Sequence, residues 1–347
     1  METRKQMKIE DVIASLLLKI SLDIKTARAV FRKIFLEKVK MQDAKTILLL
    51  LARKGETSDE LEGCLSALRA LEPPIHVSIP NLIDTCGTGG DQSHSLNIST
   101  LSALVIAGAG GKVAKHGNRA LSSQCGSSDL MEAFGVCLDA PRDQMINSIR
   151  RYGIGYFHAP FYHPVFSRMQ PLRRNLKTRT IFNLLGPLVN PLKIQGQLVG
   201  VAKREYLKLF AKVLSRSKLR RAIVCHSEDG LDEISLSAPT HIAVIENRKV
   251  RYLKIKPRQF GFHAARPKSL QGGSIQYNRA VSLAVLKGKL RGPLRNMILL
   301  NSACGLYVAG QVRNLMEGIQ MAAKSIDSGQ AFQALTGLKK ISRHTKK

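Results

Sequence analysis

No tryptophan occurs among the 347 residues, and aromatic residues make up only 5% of them. Nucleic-acid modules interleave aromatics with a dense basic stripe, and that texture is missing. The six cysteines, at 64, 86, 125, 137, 225 and 304, form no CxxC pair and no metal-like spacing. Neither a zinc site nor a disulfide framework is expected; cysteines inside apolar stretches such as AIVCHS read as buried, reduced thiols of a cytoplasmic protein. Long apolar runs are also lacking, since TILLLLA (46–52) and LSALVIAGAGG (101–111) are too short to span a bilayer. The amino-terminal METRKQMKIEDV is charged, and Lys19 breaks the apolar stretch behind it, so neither signal peptide nor membrane anchor is expected. Acidic residues are scarce: 25 Asp and Glu stand against 54 Lys and Arg, a net charge of +29. Such charge attracts polyanions or anionic small substrates. It is spread along the chain, with modest clusters at KPRQFGFHAARPK (256–268) and KKISRHTKK (339–347), so specific nucleic-acid binding is not expected.

What is present is an ordinary globular balance, 44% hydrophobic and 23% charged, in a chain long enough for a sizeable core. From residue 4 to about 72, apolar residues recur at helical spacing in IEDVIASLLLKI, IKTARAVFRKIFLEKV, MQDAKTILLLLARKG and SDELEGCLSALRAL. Gly55 followed by Thr57 and Ser58 marks a helix end and a new N-cap. The prolines of EPPIHVSIP read as a linker. Beyond residue 80, short apolar strands (NLIDTC, KVAKHG, GIGYFHAP, GQLVGVA, RAIVCHS) alternate with helical stretches, the pattern of an α/β sheet. HIAVIENRKVRYLKI predicts a hairpin turning near Asn247, which makes the sheet mixed. RTIFNLLGPLVNP (179–191) is helical until Gly186-Pro187, and helices return from 278 to 337. No internal repeat or low-complexity segment is present.

Four segments carry chemistry. The first, DTCGTGGDQSHSLNIST (84–100), has Gln92 where the third glycine of GxGxxG would stand and lacks GxxxxGK[ST]. Its glycines 87, 89 and 90 can turn consecutive backbone N–H groups onto an anion. Ser99 or Thr100 can cap the helix that follows, whose amino terminus favours negative charge. A tight turn with an ordinary serine cap fits this loop equally well. The second, AKHGNRALSSQCGSSDLMEAFG (114–135), sets Lys115, His116, Asn118 and Arg119 beyond a strand, then a serine-rich turn at 122–128 opening another helix. Two such turns around a basic patch suit a ligand with more than one phosphate, although Lys115 could also be a solvated surface lysine. The third, HSEDGLDEISL (226–236), carries Asp229, Asp232 and Glu233, either a solvated acidic loop or a holder of magnesium beside phosphate. The fourth places His163 ten residues before Arg173, with Phe166 between. A guanidinium can pair bidentately with a carboxylate, or can simply be solvated.

In this order GTGGD, NIST, KHGNR, GSSD, RTIFNLLGPLVNP and DGLDE resemble the anthranilate phosphoribosyltransferases, and the likeness extends from ARKGET (52–57) to SACGLYVAG and AAKSIDSGQA. The resemblance implies a small helical domain (1–74 with an insertion near 168–190) and a larger α/β domain (78–167 and 191–347) around a mostly parallel, mixed sheet flanked by helices. It implies phosphoribosyl pyrophosphate (PRPP) with Mg2+ between the domains, anthranilate as acceptor, and a homodimer through the helical domains. Carried over by position, Gly87, Thr88, Gly89, Gly90, Asp91, Asn97, Ser99, Thr100, Lys115 and Ser127 would bind PRPP. Ser99, Asp232 and Glu233 would serve the metal. Gly87, His116, Asn118, His163 and Arg173 would hold anthranilate. Lys115 and Arg173 would carry catalysis, Arg173 by orienting the acceptor carboxylate, and no general base is assigned. Departures are QSH at 92–94 and the cysteine at 125, and the high net charge is not a family trait. Two rival readings are a pyrimidine nucleoside phosphorylase, whose lysine-histidine-serine before the glycine loop is replaced here by Asp84-Thr85-Cys86, and a catalytically silent relative binding nucleic acid.

Overall fold

The computed structural model describes residues 8–91, 95–120, 124–176 and 178–343. Gln92, Ser93, His94, Ser122, Ser123, Lys177 and the last four residues of the basic tail lie outside the described residues. The chain divides into two compact units, Met1–Ile75 with His163–Pro191, and His76–Tyr162 with Leu192–Lys347.

The first unit is helical: α1 (Ile9–Leu17), α2 (Ile24–Phe35), α3 (Met41–Lys54) and α4 (Ser58–Leu71) come before the excursion, and α9 (Pro164–Arg168), α10 (Gln170–Leu176) and α11 (Ile181–Leu185) return to it. Local chemistry sets the starts. Asp23 accepts the Thr26 N–H at the head of α2, and Thr57 and Glu60 form a reciprocal capping box on α4. Glu60 is fully buried, and besides the Thr57 N–H it accepts from the Leu22 N–H (3.0 Å) and the Lys54 ammonium (3.0 Å), so one carboxylate joins three segments. Phe31, Phe35 and Phe182 meet as an aromatic cluster. The sequence reading begins the insertion near 168, whereas the unit takes it in from His163. The reason is Glu72, whose carboxylate meets the His163 ring (2.9 Å) and accepts the Val165 N–H (2.7 Å). The helix stop expected at Gly186-Pro187 is where α11 ends: the helix runs to Leu185 and a 3-10 turn spans Gly186–Leu188, where Pro187 cannot continue an α-helix.

The second unit is built on β1 (Leu82–Gly87), β2 (Lys112–Gly117), β3 (Ile154–His158), β4 (Gly196–Gly200), β5 (Arg221–Ser227), β6 (Thr240–Glu246) and β7 (Lys249–Ile255). They form one sheet in the order β3-β2-β1-β4-β5-β6-β7. The first five strands run parallel, and β6 and β7 add antiparallel. The β6–β7 turn is Asn247-Arg248, both at positive φ (48° and 66°), the handedness a two-residue hairpin requires. Helices α5 (Ile98–Gly108), α6 (Ser127–Ala133), α7 (Arg142–Tyr152), α8 (Ala159–Tyr162), α12 (Arg204–Arg216), α13 (Ile275–Leu286), α14 (Pro293–Val308), α15 (Leu315–Asp327) and α16 (Gln330–Ser342) complete it. The central strands β1 and β4 and helices α5 and α14 are almost wholly buried, so burial along them does not alternate. Gly305 of α14 faces the end of the Ile106 side chain of α5, which an added Cβ would push aside. All six cysteines are free thiols, five of them buried and Cys137 partly exposed. Among the described residues no helix is long and apolar enough to cross a membrane.

Gly63 of α4 makes a similar contact in the helical unit, where a Cβ would lie 2.5 Å from the Ala27 Cβ and 2.8 Å from the Arg28 backbone nitrogen of α2. Gly63→Ala is therefore expected to overpack the α2–α4 crossing and cost about 1–3 kcal/mol, read as a lower urea midpoint. An unchanged midpoint contradicts that tight crossing.

Candidate active site

The sheet order reverses direction between β1 and β4, which leaves a crevice outside the carboxyl ends of those strands, the usual ligand position in open α/β sheets. Gly87 ends β1 and faces Gly200, which ends β4. Asp232 lies across both. A Cβ on Gly87 would come within 2.4 Å of its carboxylate, and one on Gly200 within 1.5 Å of its backbone oxygen. The chain then enters the predicted glycine turn, with Gly89 and Gly90 at φ +64° and +70°. Thr88 is fastened to β4, its N–H donating to the Gly200 carbonyl (2.9 Å) and its hydroxyl accepting the Ala202 N–H (3.1 Å).

Two carboxylates from the loop after β5 close over this turn. The Gly89 N–H donates to Asp232 Oδ2 (2.8 Å), and the Ser99 N–H at the start of α5 donates to Glu233 Oε1 (3.0 Å). Asp91 returns the contact by accepting the Asp232 N–H at 3.4 Å. Asp229, grouped with these two in the sequence reading, is turned to other use: its carboxylate accepts from the Ser235 and Ser237 hydroxyls. The Glu233 carboxyl is pushed well above the usual carboxylate range, by burial first and by the Asp232 charge second, with Lys115 opposing. Two adjacent oxygen donors under that repulsion suit a hard divalent cation. Among the described residues no cluster of three or more His, Cys, Asp or Glu could hold a metal by itself, so further oxygens would have to come from the ligand or water.

Helix α5 begins earlier than expected. Asn97 stands at the N-cap and Ile98 opens the helix, so neither Ser99 nor Thr100 is the cap. Thr100 is fully buried and its hydroxyl has no partner among the described residues, which removes that hydroxyl from the solvent side of the loop. Lys115, in β2, is only 2% exposed and is not a surface lysine. Its ammonium donates to the Thr85 carbonyl (2.5 Å) and reaches the Ser99 hydroxyl (3.4 Å), so it sits under the glycine turn. His116 is buried beside it, with its N–H donating to the Asp84 carboxylate (3.1 Å).

Beyond β2, Asn118 and Ser127 hold one another. The Asn118 N–H donates to Ser127 Oγ (3.2 Å), and that hydroxyl also meets the buried Tyr156 hydroxyl (3.1 Å). Arg119 does not stand open to a phosphate. It bridges Asp129 (2.9 Å) and Glu132 (2.8 Å) of α6, while Asp129 caps that helix by accepting the Gly126 N–H (2.8 Å).

Residues 79–332 match the family described as "Glycosyl transferase family, a/b domain". An anthranilate phosphoribosyltransferase of Desulfosudis oleivorans is 42% identical over 83% of this chain and 85% of its own length. The chain belongs to the anthranilate phosphoribosyltransferase family. Its solved member from Thermus thermophilus superposes with a TM-score of 0.89 at 36% identity, covering 96% of this chain and all of that one. Another, from Saccharomyces cerevisiae and solved in complex with PRPP and Mg, shares the fold at TM-score 0.87 and 23% identity, over 96% of this chain and 97% of that one. This membership makes the protein a phosphoribosyltransferase and favours neither the nucleoside phosphorylase nor the silent nucleic-acid-binding relative.

The remaining residues that the family resemblance singles out, His163 and Arg173, fall in the helical unit. His163 is buried against Glu72 and the edge of Phe166. Arg173 in α10 lies 6.0 Å from the Phe166 ring centroid and has no carboxylate partner among the described residues. Burial lowers its pKa from the ordinary guanidinium value. Glu72, Tyr156 and Asn278 escaped the sequence reading, because a partner 28 to 181 residues away leaves no local spacing to detect.

In the unfolded chain Glu233 ionises near the ordinary 4.5, before the folded carboxyl does, so stability falls as pH rises from there toward the raised folded value. With metal chelated, Glu233→Gln is expected to melt above the unsubstituted protein at about pH 7, the gap narrowing by about pH 4. A gap independent of pH contradicts this reading.

Proposed function

We propose that the protein transfers the 5-phosphoribosyl group of PRPP to the amino group of anthranilate, releasing pyrophosphate and supplying tryptophan biosynthesis. The observation that carries this is the clasped turn at the sheet's switch point: consecutive left-handed glycines, with the Gly89 amide and the Ser99 amide of α5 held by an acidic pair. In this reading Gly87, Thr88, Gly89, Gly90, Asp91, Asn97, Ser99 and the α6 terminus at Ser127 surround the phosphates, with Thr100 contributing through its place in the first turn of α5. Asp232 and Glu233, with the Ser99 hydroxyl, would hold Mg2+, which when bound neutralises charge on the departing pyrophosphate.

The amine nitrogen attacks the anomeric carbon as the bond to the pyrophosphate oxygen breaks, and positive charge grows on the sugar ring. Charge moving onto the leaving group is what this chain must stabilise. A fixed backbone N–H donor aimed at such charge is typically worth about 3 kcal/mol of barrier. Here the Gly89 and Ser99 N–H groups are held by Asp232 and Glu233, and would serve the pyrophosphate if those carboxylates turned to Mg2+. The buried Lys115 ammonium adds positive potential from beneath and orients the Ser99 hydroxyl. An arylamine is nucleophilic when neutral, so orientation replaces a strong base. His116, Asn118, His163 and Arg173 are assigned to anthranilate. The Arg173 guanidinium, partly desolvated and without an acidic partner among the described residues, is suited to its carboxylate.

A homodimer through the helical unit fits four exposed apolar side chains there, Leu17, Leu18, Ile20 and Met41, each more than half exposed. A cytoplasmic setting fits six free thiols.

The direct test follows anthranilate fluorescence with PRPP and Mg2+. Consumption that needs both, and stops on chelation, is the expected result; phosphorolysis of a nucleoside in its place would remove the proposal. Arg173→Ala is expected to raise the anthranilate KM about 10- to 100-fold, the loss of one hydrogen-bonded charge pair, with the PRPP KM within about 2-fold. Unchanged anthranilate kinetics would remove Arg173 from the acceptor site.

A further inference from the structure

The two loops assigned to phosphate leave different strands, 88–97 from β1 and 118–126 from β2, and a ligand touching both needs their spacing fixed. Asn97 supplies one fastening. Its Nδ2 donates to the Cys125 carbonyl (2.9 Å), just before the Gly126 N-cap of α6. Its Oδ1 accepts from Nδ2 of Asn278 (3.4 Å), a residue 181 positions further along the chain.

Asn278 is the fourth residue of α13 and only 2% exposed. Its own Oδ1 accepts the Gly273 N–H (2.8 Å), so the oxygen faces Gly273 and the nitrogen faces Asn97. The chain of bonds has one polarity, because a flipped Asn97 amide would set its oxygen against the Cys125 carbonyl oxygen. The surrounding segment follows the same path. Ser95 bridges antiparallel to Gln271, and the Leu96 N–H points at the Leu270 carbonyl (3.4 Å). Gly272 allows this approach, since a Cβ there would lie 2.8 Å from Asn278 Oδ1 and 3.0 Å from the Ser95 oxygen. The next residue, Arg279, donates from Nε to the carbonyl of Ala133, the last residue of α6 (2.9 Å). Residues 270–279 thus reach the start of α5 and the end of α6.

We propose that Asn278 is a positioning residue for PRPP: acting through Asn97, it sets the spacing of the two loops assigned to phosphate without touching the substrate. The inference rests on the PRPP reading above. Its test is PRPP affinity by calorimetry with no acceptor present, so the anthranilate assignment does not enter. Asn278→Ala and Asn97→Ala are each expected to weaken PRPP about 10-fold, the usual scale for groups that orient a binding shell. The double variant is expected to stay within about 2-fold of Asn97→Ala, because the two residues act as one unit. In turnover the anthranilate KM is expected to stay within about 2-fold. Asn278→Asp keeps the acceptor for Gly273 and removes the donor to Asn97; it is expected to reproduce the loss while melting within a few degrees of the wild type, which covers an alanine variant that fails to fold. Unchanged PRPP affinity in Asn278→Asp, or a double variant weakened by the product of the singles, about 100-fold, overturns the inference. A wild type that binds no PRPP removes the proposed function and this inference together, whereas one that binds PRPP regardless of residue 278 removes only the inference.

Discussion

The α/β unit depends on one contact above the rest: two neighbouring carboxylates accept backbone N–H groups from the glycine turn and from the first turn of α5. A loop rich in glycine has many conformations to lose, and its backbone donors are costly when buried without partners. Asp232 and Glu233 answer both demands. They also bring two carboxylates into the same enclosed place, and burial first, then the Asp232 charge, is why Glu233 resists ionisation. The clasp is thus strained electrostatically in the protein alone, and a divalent cation would relieve that strain. Structure and chemistry meet in the same two side chains.

Lys115 completes the arrangement from the opposite side. A buried ammonium is expensive unless hydrogen-bonded, and here it has the Thr85 carbonyl and the Ser99 hydroxyl. Positive charge below and negative charge above hold the strand-to-helix turn between them. In a chain carrying +29, local arrangement rather than total charge decides where an anion can be bound tightly. Arg119 illustrates the distinction, because it sits among the phosphate motifs yet is committed to Asp129 and Glu132. The edge strand β7 illustrates another use of charge: its exposed Lys249, Arg251 and Lys254 keep an open sheet edge from pairing with another chain.

Much of the architecture was legible from local patterns. KVAKHG reads as a strand and is β2, RAIVCHS is β5, and the turn expected near Asn247 is made by Asn247 and Arg248. These succeed because hydrophobic period and turn chemistry act over a few residues. Boundaries were less legible. Asn97 rather than Ser99 or Thr100 stands at the N-cap of α5, its side chain drawn away to Cys125 and Asn278 instead of capping the helix. Similarly, His163 joins the helical unit because Glu72 holds it, a pairing across 91 residues.

By itself the sequence determined the chemical vocabulary: glycines able to turn left-handed, serines and aspartates at helix starts, adjacent acids after a strand, and a basic patch beyond another strand. It also determined the family, through six motifs in one order. Only the tertiary structure decided which groups hold which. It gave Gly89 to Asp232, Ser99 to Glu233 and Asn97 to Asn278, and it withdrew Asp229 into contacts with Ser235 and Ser237. The physical reason is that a hydrogen bond constrains distance in space, whereas residues more than a hundred positions apart impose no spacing on one another until the sheet has brought their strands together.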